Sequence, residues 1–395
     1  MSETILSQRA STRAGVVPPG EREELLALAE GIPDLVRLGR GDPDLATPPV
    51  IVEAAIKALH NGFTHYTHWA GLEELRQAIS AKLKRDNGLN YDPNTEIVVT
   101  TGVQEAMYVL FQCLLNPGDE VLIADPLYTA YNFMVTYAGG RIIHVPTEEK
   151  DHFILQPRAL LERITPKTKA VVVNTPNNPT GAVIPEEILK EIAALAIEKD
   201  LVIISDEIYE KIIFDGARHV SIASLPGMYG RSIVLNGFSK AYSMTGWRLG
   251  YMAAPSDFIQ KCRMLKYALT ISVNHAVQAA ALAVLDEEDD SVRETVAVYD
   301  ERRRLVMSRL DEMGLSYSYP AGTFYIFVNI TSTGLSSFEF CRRLLQDAQV
   351  QVMPGTVYGN GEGYIRISLT APLDQMERGM DRMASAVKRY QNRQS

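Results

Sequence analysis

Ala170-Val171-Val172-Val173-Asn174 and Leu201-Val202-Ile203-Ile204-Ser205 are two apolar, mostly β-branched runs with a helical stretch between them. In that stretch, residues 186–199, the side chains of Ile188, Ile192, Leu195 and Ala196 fall on one stripe. Strands without polar alternation are the mark of parallel strands covered on both faces. Working outward, residues 97–101, 121–124, 141–145, 232–235 and 250–253 read as five more strands. The repetition predicts an α/β fold, a mostly parallel seven-stranded sheet sandwiched by helices. In such a sheet, ligands sit beyond the carboxyl ends of the strands.

From about residue 286 the pattern changes. A charged helical stretch (286–311) leads to an alternating aromatic strand pair in 316–330, a helix at 336–346, strands at 350–353 and 364–369, and a closing helix after Pro372. This predicts a smaller α+β domain over 286–395, following a large domain over 46–285. The first 45 residues, punctuated by Pro and Gly, read as an arm packed on one of the domains or on a partner.

The composition bounds the function. The chain has 395 residues, 46% hydrophobic and 22% charged, the balance of a soluble globular protein that needs no covalent staples. With 39 Lys and Arg against 48 Asp and Glu, the net charge of −9 argues against a nucleic-acid partner. It leaves room for a local cationic pocket. No apolar stretch is long enough to span a bilayer, and the first 20 residues lack the core of a secretory signal. Cys113, Cys262 and Cys341 are far apart in sequence and make no disulfide framework, which suits a reducing compartment, so a cytoplasmic protein is expected. His65 and His68 lack a third ligand nearby, so no metal site is expected; His68 and Trp69 read as pocket wall or dimer contact. Residues 148–151 and 286–290 read as solvated charge runs.

Four features fall where strands end. Thr101-Gly102-Val103-Gln104 opens a helix, whose free N–H groups suit a phosphate, although taken alone a structural turn is the more common reading. Asn174-Thr175-Pro176-Asn177-Asn178-Pro179-Thr180-Gly181 is a rigid loop that either aims Asn178 at a ligand or only turns the chain. Asp206, after five strand residues, is either a helix N-cap or a counter-ion to a protonated heterocycle, with Tyr209 on the same side. Lys240, in Phe238-Ser239-Lys240-Ala241-Tyr242, is either solvated or a nucleophilic amine, and Arg248 offers a fork for phosphate or carboxylate. An amine, a buried acid, an amide and a phosphate cradle together are what pyridoxal 5'-phosphate requires.

The motifs N-N-P-T-G (177–181), S-D-E-I-Y (205–209) and S-K-x-x-x-M-T-G-W-R-x-G-Y (239–251) resemble those of the fold type I, class I pyridoxal-phosphate aminotransferases, in their prokaryotic-type aspartate/aromatic branch. The resemblance runs from about Leu38 to the end. It implies Lys240 as the cofactor lysine and proton shuttle, and Asp206 as partner of the ring nitrogen. Asn178 and Tyr209 then bond the ring oxygen, and Tyr128 stacks on the ring where aspartate-specific relatives commonly carry Trp. Thr101, Gly102, Val103, Ser239 and Arg248 fall at the phosphate. Tyr66 matches a tyrosine that reaches a partner subunit's phosphate, which implies a homodimer. Arg366 matches the grip on the substrate α-carboxylate, and Gly41 a backbone lying against the substrate. Two departures stand out: Gly237 replaces a common phosphate-binding serine, and Arg40 stands where a small residue is usual, either to read a distal carboxylate or to face solvent. Phe324 reads as active-site lining or as core.

The implied activity is a ping-pong transfer of an amino group between an L-amino acid and a 2-oxo acid, with 2-oxoglutarate the expected acceptor and aspartate/aromatic or broad specificity. The alternative within the fold is a C–S lyase or an aminocyclopropane-carboxylate-forming enzyme. A DNA-binding regulator on the same fold does not fit, because the roughly 40 residues ahead of the resemblance show no helix-turn-helix pattern.

Overall fold

Alternate residues along each central strand face opposite sides, and both sides are covered by helices. The computed structural model describes residues 5–11, 20–285 and 290–392. A short early strand, β1 (Val36–Arg37), precedes seven strands: β2 (Ile97–Thr100), β3 (Glu120–Asp125), β4 (Arg141–Pro146), β5 (Thr168–Asn174), β6 (Val202–Asp206), β7 (Ser232–Gly237) and β8 (Gly250–Ala253). These seven form one sheet in the order β2-β8-β7-β6-β5-β3-β4. Only β8 runs against its neighbours, so the sheet is mostly parallel as expected. Val121, Ile123, Val172 and Ile204 pack one face against helices Gly102–Leu114 and Ser256–Thr270. Leu122, Val171, Val173 and Ile203 pack the other against helix Glu186–Glu198. Two covered faces are the reason these strands read as unbroken apolar runs. The buried stripe of Glu186–Glu198 is Leu189, Ile192, Ala193 and Ala196; Ile188 and Leu195 are only half-buried at its margins.

The remaining strands are β9 (Tyr325–Asn329), β10 (Val350–Gln351), β11 (Met353–Pro354) and β12 (Tyr364–Ser368). β11, β12 and β9 make an antiparallel sheet, while β10 pairs in parallel with β1. The expected strand at 350–353 is thus two strands in different sheets. The expected strand pair in 316–330 is one strand: Pro320, Ala321 and Gly322 interrupt the aromatic alternation, and Tyr317 contributes a lone bridge to Val328. Helix Asp290–Glu312 packs on the closing helix Leu373–Gln391. It also clamps the chain's early segment, because buried Arg302 makes two parallel bonds to Asp44, at 2.7 and 2.9 Å. Part of the charge run at 286–290 and much of the first 19 residues lie outside the described residues. Glu149, from the other charge run, is not simply solvated: it accepts bonds from Asn329 Nδ2 and Tyr364 Oη, both 2.8 Å. Among the described residues no helix is long and apolar enough to cross a membrane.

Candidate active site

The carboxyl ends of β2, β3, β5, β6 and β7 share one rim with the start of β8, so the four strand-end features converge there. Asp206 ends β6, 3% exposed. Burial pushes its carboxyl up to about 6, against the pull of a bond from Tyr131 Oη (2.6 Å) and one from the Ile208 N–H (3.3 Å). No helix follows: residues 208–211 form turns, so Asp206 is not an N-cap. Among the described residues no cation is ion-paired with it. Tyr131 was not singled out from the sequence, although it lies one helical turn past Tyr128, whose ring it meets edge-on at 5.8 Å.

Lys240, in the turn after β7, donates from Nζ to the Gly41 carbonyl at 2.9 Å. The amine lies 6.0 Å from the Tyr209 ring centre and 5.8 Å from that of Phe324, so Phe324 is both core and site wall. Tyr209, its hydroxyl pushed well above the ordinary range by burial, shares a 3.1 Å bond with Tyr325. Arg366, on β12, is 5% exposed. It donates to Asn178 Oδ1 at 3.1 Å and to the Gly39 carbonyl at 2.9 Å, and its guanidinium lies over the rings of Tyr325 and Tyr358. Its Nε is buried without a partner. Asn178 is held from behind by the Asn174 side chain, and its bond to Pro179 is cis. A side chain at Gly41 would put Cβ 2.5 Å from Tyr325 Oη, so the segment under Lys240 must be glycine.

At the other end, Gly102 begins its helix beside Thr101, and Val103 follows half-buried. The Arg248 guanidinium lies against Gly102, 2.8 Å from where a Cβ would stand, and Arg248 itself is exposed. Ser239 is buried, and Tyr128 reaches Gln104 at 3.3 Å. The unusual Gly237 has a local cause. A Cβ there would sit 2.9 Å from Gly250 Cα, its partner across β7 and β8, and Gly250 in turn abuts Gly102 and Val103. The backbones touch where a serine would need space.

Two candidates are not drawn in. Tyr66 stands 77% exposed and shares no hydrogen bond with these residues. Arg40 faces solvent, its guanidinium 3.6 Å from Asp42. Beneath the site lies a network not visible in the sequence. Glu207, Glu210 and His219 gather within 4.8 Å of one another. Their ligand atoms are already bonded: Glu207 to Ser205, Ser221, Asn87 and His219, and Glu210 to Lys82 and Asn87.

Residues 33–383 match the family model for aminotransferase class I and II. The chain is 45% identical to the aromatic-amino-acid aminotransferase 2 of Thermococcus litoralis and 46% identical to an aspartate aminotransferase of Pyrococcus abyssi. Each alignment covers 96% of this chain and 98% of the relative. A solved aromatic aminotransferase from Pyrococcus horikoshii superposes with a TM-score of 0.89 at 45% identity, covering 92% of this chain and 99% of that one.

Proposed function

The chain belongs to the class I and II aminotransferases, and from that premise we propose that it moves an amino group from an L-amino acid to 2-oxoglutarate, in two half-reactions, with pyridoxal 5'-phosphate as cofactor. The donors are acidic or aromatic amino acids, since relatives of equal similarity carry both names. The observation that carries the reading is that residues 39–41 receive both the Lys240 amine and the Arg366 fork. This sets a nucleophile beside a carboxylate grip.

The residues fit the cofactor. Asp206 is a buried acid whose charge is disfavoured until a cation faces it, which a protonated ring nitrogen provides. The helix start at Gly102, left bare for the Arg248 guanidinium, fits a phosphate, with Thr101, Val103 and Ser239 beside it. Tyr128 supplies a flat flank, and Asn178 and Tyr209 supply donors for the ring oxygen. Tyr66 projects outward, as a residue completing the phosphate site of a second copy would, which supports a homodimer with sites at the interface. Unpaired cysteines suit work in the cytoplasm.

Bound there, the cofactor supplies an electron-poor ring that takes up the electrons of the bond broken at the substrate α-carbon. Asp206 keeps the ring nitrogen protonated. Arg366 has spent two of its five N–H groups on Asn178 and Gly39, and two of the remaining three can hold the α-carboxylate as a fork. Lys240, steered by Gly41, binds the cofactor and then carries the α-proton. Borohydride treatment of cofactor-loaded protein should fix the ring to Lys240, and a single turnover with glutamate should release one 2-oxo acid per site. Continuous release of ammonia and pyruvate without an acceptor would instead establish the lyase.

A further inference from the structure

The loop after β4 is strained, and it is strained where it meets the strand that carries Arg366. Residues 149–151 form one 3-10 turn, and His152 and Phe153 follow with φ of +53° and +54°, two left-handed residues in a row without a glycine. The His152 N–H closes the turn onto the Glu149 carbonyl and the Phe153 N–H onto the Glu148 carbonyl, both at 2.9 Å. A bulky side chain at positive φ is uncommon and persists only where its surroundings hold it there. Here the surroundings are the sheet of β9 and β12.

Tyr364 and Arg366 alternate onto one face of β12, and their partners directly across on β9, Asn329 and Phe327, share that face. Glu149 engages both members of the first pair through one oxygen: Asn329 Nδ2 and Tyr364 Oη each donate to Oε2 at 2.8 Å. Phe153 is buried, with its ring edge-on to both Phe327 and Tyr364 at 5.5 Å, and those two rings stack on each other at 5.0 Å. The loop thus grips the residue two before Arg366 on its own strand and the residue opposite it. The other flank is tied to the same rim. The Leu127 N–H donates at 2.8 Å to the carbonyl of Tyr358, whose ring centre lies 4.7 Å from the Arg366 guanidinium, and Asp125 Oδ1 accepts from the Asn360 N–H at 2.8 Å.

We propose that Glu149 and Phe153 are positioning residues for Arg366, a clip that fixes its strand against the rim so that the guanidinium is set for an α-carboxylate before substrate arrives. The proposal rests on the functional reading above and deepens it at one point: the clip sets how tightly a carboxylate is held, not how the Lys240 amine reacts. A fork already in place does not pay for its ordering when the carboxylate binds.

The test measures steady-state kinetics with phenylalanine and 2-oxoglutarate on the full-length, cofactor-loaded protein, together with the affinity for the cofactor and the melting temperature. In Glu149→Ala, KM for both substrates should rise roughly tenfold while kcat falls less than about threefold, the pattern of lost uniform binding. Cofactor affinity should stay within about twofold of the parent's, because the clip touches none of the cofactor's residues. Glu149→Gln keeps an acceptor oxygen and should recover most of the loss in KM, and Phe153→Leu should raise KM about threefold with the same split. If Glu149→Ala fails to fold, those two variants decide the matter by the same measurements. A lowered melting temperature with parental KM would make the loop structural only, and cofactor affinity falling in step with the rise in KM would mean a general disturbance of the site; either overturns the clip alone. A parent protein with no amino-transfer turnover overturns the functional reading, and the clip with it.

Discussion

Asp206, the last residue of β6, and Glu210, four residues on, are both buried, and they are driven in opposite directions. Asp206 is pushed up to about 6 because burial outweighs the two hydrogen bonds that favour its charge. Burial would push Glu210 up as well, but Lys82, His219 and Asn87 prevail and hold it at about 2. The difference is a cation. Glu210 has one from the chain, which makes it part of the scaffold. Asp206 is left short of one, which is how a fold reserves a place for a positively charged group from outside.

The harshest way to break that contrast is to neutralise Asp206. Asp206→Asn should lower turnover by roughly 10²–10³-fold, the scale for losing one preorganised electrostatic partner. It should at the same time stabilise the cofactor-free protein. An acid whose folded pKa lies near 6, above its ordinary 3.8, costs stability as pH rises through that interval. The variant's advantage should therefore be absent below about pH 4, grow toward pH 6 and level off near 3 kcal/mol, at about 1.4 kcal/mol per unit. Urea unfolding of both cofactor-free proteins at pH 4 and pH 8 checks it. Equal stability at pH 8 would mean that Asp206 has found a partner within the chain.

Taking the cation from the compensated acid should do the reverse. Lys82→Met leaves Glu210 charged and buried, and should cost about 3–5 kcal/mol, with turnover per folded molecule little changed. Adding Glu210→Gln should recover much of that loss. In the parent protein the Glu210 contribution is fully present above pH 4.5 and is lost as pH falls toward 2. A urea midpoint series on the single and double variants decides whether the network is structural.

A smaller change sharpens the Asp206 side. Tyr131→Phe removes the 2.6 Å bond that favours the charged carboxylate, so the acid should rise further and hold a protonated ring less well. Cofactor affinity should fall about tenfold, equivalent to about 1.4 kcal/mol, as read by titrating cofactor-free protein by fluorescence. Unchanged affinity would assign Tyr131 to packing alone.

What was legible in the sequence divides along the same line. The seven strands showed themselves because each is a local run, and the rim residues showed themselves because each follows its strand directly. Lys82 with Glu210 and Tyr131 with Asp206 are pairings across distant segments. No local pattern marks the pairing, since each half belongs to its own helix, turn or strand end until the sheet order brings it to its partner. The aromatic alternation around residues 316–330 misled for the opposite reason: a local pattern was present, but Pro320 and Gly322 kept it from becoming a second strand.

Arg40 supplies a third electrostatic setting, a charge left in water. Its guanidinium is 62% exposed and 3.6 Å from Asp42, beyond hydrogen-bond length and open to screening by salt. Such a pair orders little, so Arg40→Ala should leave the melting temperature of the protein unmoved. The informative measurement is kcat/KM for aspartate against that for phenylalanine, each with 2-oxoglutarate. If Arg40 stays in solvent, both should fall by less than about twofold, within the range of an exposed charge. If closure over a dicarboxylate brings Arg40 onto the distal carboxylate, aspartate alone should lose roughly tenfold or more, because a charge-assisted bond is worth about 1.5–3 kcal/mol once water is excluded. That selective loss would move Arg40 from the solvated class to the one Asp206 occupies, a charge whose partner arrives with the ligand.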